Sequence, residues 1–220
     1  DDPLDAGTGE LQELRDDSRI AAAVERLRLW SRRTPTGIQA GYDPGDDPEN
    51  LPSPGSEEVK DSVAATIYAV WRSRILANTI DSTLQRLGLS GHRPDSERSL
   101  SALRHLLDQF NSSQGVGASG VNFFDVEGAA GPEEARDTLI LRSLDEALDL
   151  LASDDFAVAF GKSTNQEDYR WGMLHRVTFD HFLGDDFNVP PNGGFTDLAT
   201  NLAGIARSGG YEVVDASAHS

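Results

Sequence analysis

Apolar side chains recur every three or four positions through the first two thirds of the chain, the spacing of helices that bury one face. Ile20, Val24, Leu27 and Trp30 lie 4, 3 and 3 apart and predict an amphipathic helix beginning at Ser18, a residue suited to an N-cap. A longer stripe of Val59, Val63, Ile67, Val70–Trp71, Ile75, Ile80, Leu84 and Leu87 predicts one continuous helix that ends at Gly88. Ser56 can cap it, and Glu57 and Glu58 oppose the positive end of its dipole. Leu100, Leu103, Leu106–Leu107 and Phe110 predict a shorter helix after Pro94. Pro132, followed by Glu133 and Glu134, opens another that carries Leu139, Leu141, Leu144, Leu148 and Leu151.

Other stretches lack that period. Residues 1–17 are acidic and polar and read as a linker or frayed terminus. Residues 34–56 hold five of the ten prolines and read as a surface loop. Residues 111–131 are Gly-rich around an apolar island, Val121-Asn122-Phe123-Phe124. After Asp155 the helical period fades, and aromatic and β-branched residues rise. Asn188–Gly194 reads as a turn, and Tyr211-Glu212-Val213-Val214-Asp215 alternates like a strand. The expected organisation is a linker at 1–17, a mostly helical segment at 18–155 and a mixed strand and loop segment at 156–220. The expected fold class is α+β, helix-rich with a few late strands.

Composition narrows the functions open to such a chain. Its 220 residues are 38% hydrophobic, enough for a substantial core. Nineteen Lys and Arg against 37 Asp and Glu give a net charge of −18, which repels nucleic acid and anionic membrane surfaces. No apolar run approaches the roughly 18 residues of a membrane span. The absence of Cys excludes disulfides and thiolate chemistry. The chain opens at Asp1 without a Met and stops just after a strand, which reads as a piece of a longer polypeptide.

Few residues present themselves for chemistry. His175 and His181 are six apart, which misses the i, i+4 spacing of a helical zinc site but shares a face on a strand. In an aromatic-rich segment they read first as structural histidines. Gly115–Gly120 lacks the Lys of a phosphate-binding loop and reads as a mobile loop. The acidic stretch Asp43–Glu49 lacks calcium-hand spacing and reads as solvated charge. Ser56, Ser101 and Ser217 lack the Gly-x-Ser-x-Gly setting of a nucleophile elbow.

Two stretches carry a resemblance. Tyr169-Arg170-Trp171-Gly172-Met173-Leu174-His175, followed by Asp180-His181-Phe182-Leu183-Gly184, resembles the W-G-x-L-H…H-P-L-G segment of the penicillin amidase (penicillin acylase) family. Ser62-Val63-Ala64-Ala65-Thr66-Ile67-Tyr68-Ala69-Val70-Trp71-Arg72 resembles that family's D-S-x-A-A-x-x-Y-x-x-W-R helix. The likeness runs over about residues 18–220 and is most specific at 62–74 and 169–184. Phe182 stands where the family has Pro, and Ala218 where it has an aromatic residue.

The resemblance implies an αββα N-terminal-nucleophile amidohydrolase that matures by cutting itself into two chains. It further implies a Ser nucleophile with its own α-amine as base, and a linear amide substrate such as an acylated β-lactam nucleus or acyl-homoserine lactone. Such a role belongs to antibiotic biosynthesis, in an extracellular or periplasmic setting. The nucleophile, the oxyanion donors and the calcium ligands of some members would lie upstream of the matching segments. No catalytic residue, metal ligand or cofactor is therefore assigned to this chain, and alone it is expected to be inactive. Its partner would be the remainder of the same precursor. His175, His181 and Trp171 are candidates to support the active site from behind. The alternatives are a stand-alone helical interaction domain using the 59–87 stripe and a His-centred metal hydrolase.

Overall fold

The computed structural model describes residues 9–47, 49–177, 182–183, 186 and 205–209. They are helix-rich with one two-stranded sheet, in keeping with an α+β chain. The chain forms two compact units, one from Asp1–Ala22 with Val70–Ala147, the other from Ala23–Ala69 with Leu148–Ser220. Each joins segments distant in sequence, and the composition change near Asp155 falls inside the second.

The first unit opens with α1 (Gly9–Asp16), where a linker or frayed terminus was expected. Eight residues are too few for a stable isolated helix, so tertiary contacts must hold it. Leu11 is buried, Arg142 Nε donates to Glu10 Oε1 at 2.7 Å, and Arg15 pairs with Asp137 at 3.3 Å. Helix α2 (Ser18–Leu29) follows as predicted, but its cap is Asp17 rather than Ser18. The Asp17 carboxylate accepts the Arg19 and Ile20 amides at 2.6 and 3.3 Å.

The long predicted helix is interrupted. It comprises α3 (Ser56–Leu76), a wider π-turn at Ala77–Asp81 and α4 (Ser82–Arg86), and Gly88 follows at φ +72°. Helix α5 (Ser96–Asp108) is capped by Asp95, which accepts the Arg98 amide, and α6 (Phe110–Ser113) continues it. Ile75, Leu76, Ile80, Leu103, Leu106, Phe110, Phe124 and Leu139 form one buried cluster. Phe124 reaches it from the apolar island, with its ring edge-on to Phe110 at 5.6 Å. The preceding glycine stretch, expected as a mobile loop, is a turn closed by Gly117 N–H to Val121 O and Phe123 N–H to Gly115 O. Gly115 has φ +83°, and a Cβ there would lie 2.6 Å from the Phe124 ring. Helix α7 (Pro132–Leu151) begins at Pro132 as predicted.

The second unit holds the later part of α2, residues 34–56, the first turns of α3 and the chain after Leu148. There α8 (Ala157–Phe160) and α9 (Trp171–Leu174) are single turns. Strands β1 (Arg176–Val177) and β2 (Ile205–Ala206) pair antiparallel, Arg176 opposite Ala206. Tyr42 joins alongside, its amide donating to Ala206 O at 3.0 Å. The prolines do prevent regular structure over 34–56, yet Thr36, Gly37 and Gly41 are buried, so this stretch is partly interior. The predicted strand at 211–215 and turn at 188–194 lie outside the described residues.

The Glu10–Arg142 pair gives α1 an acid sensitivity. The Arg142 guanidinium holds the Glu10 carboxyl below its ordinary range. A depressed folded-state value contributes stability above about pH 4.3 that is lost as pH falls through it. Both side chains are more than a third exposed, so the effect is under about 1 kcal/mol. Glu10→Gln should flatten the acid limb of the Tm–pH profile and leave the limb above pH 6 parallel to that of the parent.

Candidate functional site

The two stretches that carry the family resemblance meet at one hydroxyl. Ser62 lies in the second turn of α3 and is fully buried, as are Val63, Ala64, Ala65, Thr66 and Ile67 around it. Six consecutive buried residues place this part of the helix in the interior on every side. Ser62 Oγ donates to Thr36 O at 2.9 Å and accepts the Trp171 amide at 2.7 Å. The Gly172 amide donates to the same Thr36 carbonyl at 2.8 Å. Thr36 is itself held by Asp43, whose carboxylate accepts the Thr36 hydroxyl at 2.7 Å and amide at 3.0 Å.

Glycine is required on both sides of this junction. A Cβ on Gly37, at φ +67°, would lie 2.3 Å from Ser62 Oγ. One on Gly172 would lie 2.9 Å from Thr36 Cβ and 3.0 Å from Ile38 Cγ1. The neighbouring Asp61 ties down the end of α2, accepting the Ser31 amide at 3.0 Å and also its hydroxyl. Thr36, Gly37 and Asp61 are the residues that pattern reading missed, and Asp43, expected as solvated charge, is instead committed to Thr36. The one sequence signal among them is the Asp61-Ser62 pair at the start of an apolar run.

Trp171 is buried, and its indole Nε1 donates to Gly209 O at 2.7 Å. His175 follows the single turn of α9 in extended conformation and leads directly into β1. The Trp171 and His175 rings stack at 5.3 Å and 10°. His175 Nδ1 lies 2.8 Å from Arg207 O, and because a carbonyl only accepts, Nδ1 carries the hydrogen. The Arg207 amide returns a bond to His175 O at 3.1 Å. Burial pushes the nearby Arg176 guanidinium down from its ordinary value, and its Nη1 donates to Gly172 O at 3.1 Å. His181 lies outside the described residues.

A cleft of about 420 Å³ opens in the same unit, between Leu29 and Trp30 at the end of α2 and Glu57, Lys60 and Val63 of α3. Its mouth carries two ion pairs, Arg26 with Glu167 and Lys60 with Glu57, each at 2.6 Å. The hydrogen bond that the Lys60 ammonium donates to Glu57 raises it above its ordinary value.

The acidic stretch near Asp43 is bonded internally. Asp43 is committed to Thr36, Asp46 accepts the Asp43 amide and Asp47 accepts the Glu49 amide. Among the described residues no group of three or more His, Asp or Glu converges as metal ligands. No helix among them is long and apolar enough to cross a membrane.

Ser62, Trp171 and Gly172 thus bring parts of the two motif stretches to one buried junction. A family model described as penicillin amidase matches residues 4–220. The chain belongs to the penicillin amidase family, whose members hydrolyse amides. No curated protein and no solved structure matches.

Removing the Ser62 hydroxyl leaves the buried Trp171 amide without its partner, while Thr36 O keeps the Gly172 amide, so Ser62→Ala should cost about 1–3 kcal/mol by denaturant unfolding. Thr66→Val is the control. Thr66 is equally buried, but its hydroxyl bonds only Ser62 O within its own helix, so its loss should cost clearly less. Gly37→Ala should be the most damaging of the three, through both clash and backbone strain.

Proposed function

We propose that this chain is the scaffold portion of an amide hydrolase of αββα N-terminal-nucleophile type. The substrate is a linear amide, an acyl group on an amine such as a β-lactam nucleus or homoserine lactone. The nucleophile comes from another part of the same precursor. The supporting observation is the use made of Ser62. Its proton is given to Thr36 O and a lone pair is occupied by the Trp171 amide, with no base bonded to it among the described residues and no access to solvent. A serine nucleophile needs a base to take its proton and a path for the substrate. The serine within the family signature therefore acts as a structural tie.

Trp171 and His175 are read as positioning residues. The ring stack and the two bonds between His175 and Arg207 join α9 to β2, so a shift of either ring would move the strand pair. The interaction-domain alternative needs the 59–87 stripe to be exposed. Val63, Ile67, Val70, Ile75 and Ile80 are instead all buried.

The direct test is turnover. The 220-residue chain alone should release no amine from N-acyl amides, acyl-β-lactams or acyl-homoserine lactones, while the complete precursor does. Turnover by the chain alone overturns the reading. In the complete enzyme, His175→Ala should lower kcat at least several-fold with little change in KM. A loss of Tm at unchanged kcat would restrict His175 to packing.

A further inference from the structure

The cleft of the second unit is built from matching faces of two helices. Arg26, Leu29 and Trp30 at the end of α2, and Glu57, Lys60 and Asp61 at the start of α3, both follow the i, i+3, i+4 pattern of side chains on one side of a helix. Val63, only 1% exposed, lines its inner part, and Glu167 reaches it from the later chain. A volume of about 420 Å³ is that of a small-molecule site.

Its apolar wall is already in place. Trp30 Nε1 donates to Arg33 O at 2.6 Å, and the indole leans on the Tyr68 ring with centroids 5.2 Å apart. A ring tied at its N–H and supported by a second aromatic loses little freedom when a ligand settles against it. Beside it Leu29 is 68% exposed, so covering it would remove apolar surface from water.

The mouth has acceptor capacity left over. Glu57 holds Lys60 and Glu167 holds Arg26, each through Oε1, and neither Oε2 accepts a hydrogen bond among the described residues. Lys60 keeps its charge through Glu57 first, with Glu167 adding to it. Asp61, whose oxygens hold Ser31, contributes a third carboxylate. Three carboxylates therefore face two cations, in a chain of net charge −18. The local and the overall field both favour a positive ligand.

We propose that this cleft binds a small organic cation, a primary ammonium on an aromatic or branched aliphatic body. The body lies against Leu29, Trp30 and Val63, and the ammonium donates to the spare oxygens of Glu57 and Glu167. The π-face of Trp30 adds to the attraction. None of these groups is bonded to Ser62, and the site does not depend on which amide the complete enzyme cleaves.

The test is calorimetric titration of the full chain with 2-phenylethylammonium, the neutral 2-phenylethanol and the anionic 3-phenylpropionate, which differ chiefly in charge. The ammonium should bind at least about tenfold more tightly than either of the others, and more weakly as salt is added. Glu57 and Glu167 are both more than half exposed, so the double variant Glu57→Gln, Glu167→Gln should keep the parent's Tm. It alters the net charge by only two yet leaves Arg26 and Lys60 opposed by Asp61 alone, so it should reverse the order of ammonium and carboxylate. Leu29→Ala leaves every charge in place and should weaken the ammonium severalfold through lost apolar contact. No binding, equal binding of the three probes, an unchanged order in the double variant or an unchanged affinity in Leu29→Ala would each overturn the proposal.

Discussion

A hydroxyl buried in an apolar interior must be fully bonded or it becomes a liability of several kcal/mol, and Ser62 is bonded on both sides. Its two partners lie 26 and 109 residues away in sequence. That single group therefore fixes where the Thr36 loop and the Trp171 turn must sit against the interior of α3. Gly37 and Gly172 follow from it, because any side chain there would occupy the space the hydroxyl and the Thr36 backbone already fill. Asp43 then fixes Thr36, and Trp171 carries the constraint on to Gly209 and, through the stacked His175, to Arg207.

This chain of bonds gives the family signature a physical meaning. The Asp-Ser pair, the small residues after it and the Trp-Gly pair are the parts of one joint, with close backbone approach as the common requirement. Selection for such a joint is selection for shape. A catalytic serine would need a base to take its proton, and the Ser62 hydroxyl is bonded instead to the Thr36 carbonyl.

Charge plays a smaller part. Nineteen basic residues serve 37 acidic ones, and the arginines of the first unit are directed to ties between helices, such as Arg142 with Glu10 and Arg74 with Glu146. Half-exposed pairs of this kind contribute little individually. The pairs of Arg142 with Glu10 and of Arg15 with Asp137 place α1, whose buried residue is Leu11.

The long amphipathic helices were legible because their signals are local. Apolar spacing, Glu at the first turn and Pro132 all act within a few residues, and α2, α3, α5 and α7 begin where those signals place them, within a residue or two. Helix α1 was not, since its stability comes from Arg142 and Asp137 far along the chain. The single helical turn of α9 was obscured by the aromatic and β-branched residues around it, whose strand preference the docking of Gly172 on Thr36 overrides.

The sequence by itself determined the helical character, the acidity and, through two short motifs, the family. What only the tertiary structure decided was the meeting of those motifs at Ser62, the burial of Thr36, Gly37 and Gly41 within the Pro-rich stretch and the wider turn in the long helix. Period and capping are properties of neighbours. Satisfaction of a buried hydroxyl depends on groups a hundred residues away, and no local pattern encodes which of them will arrive.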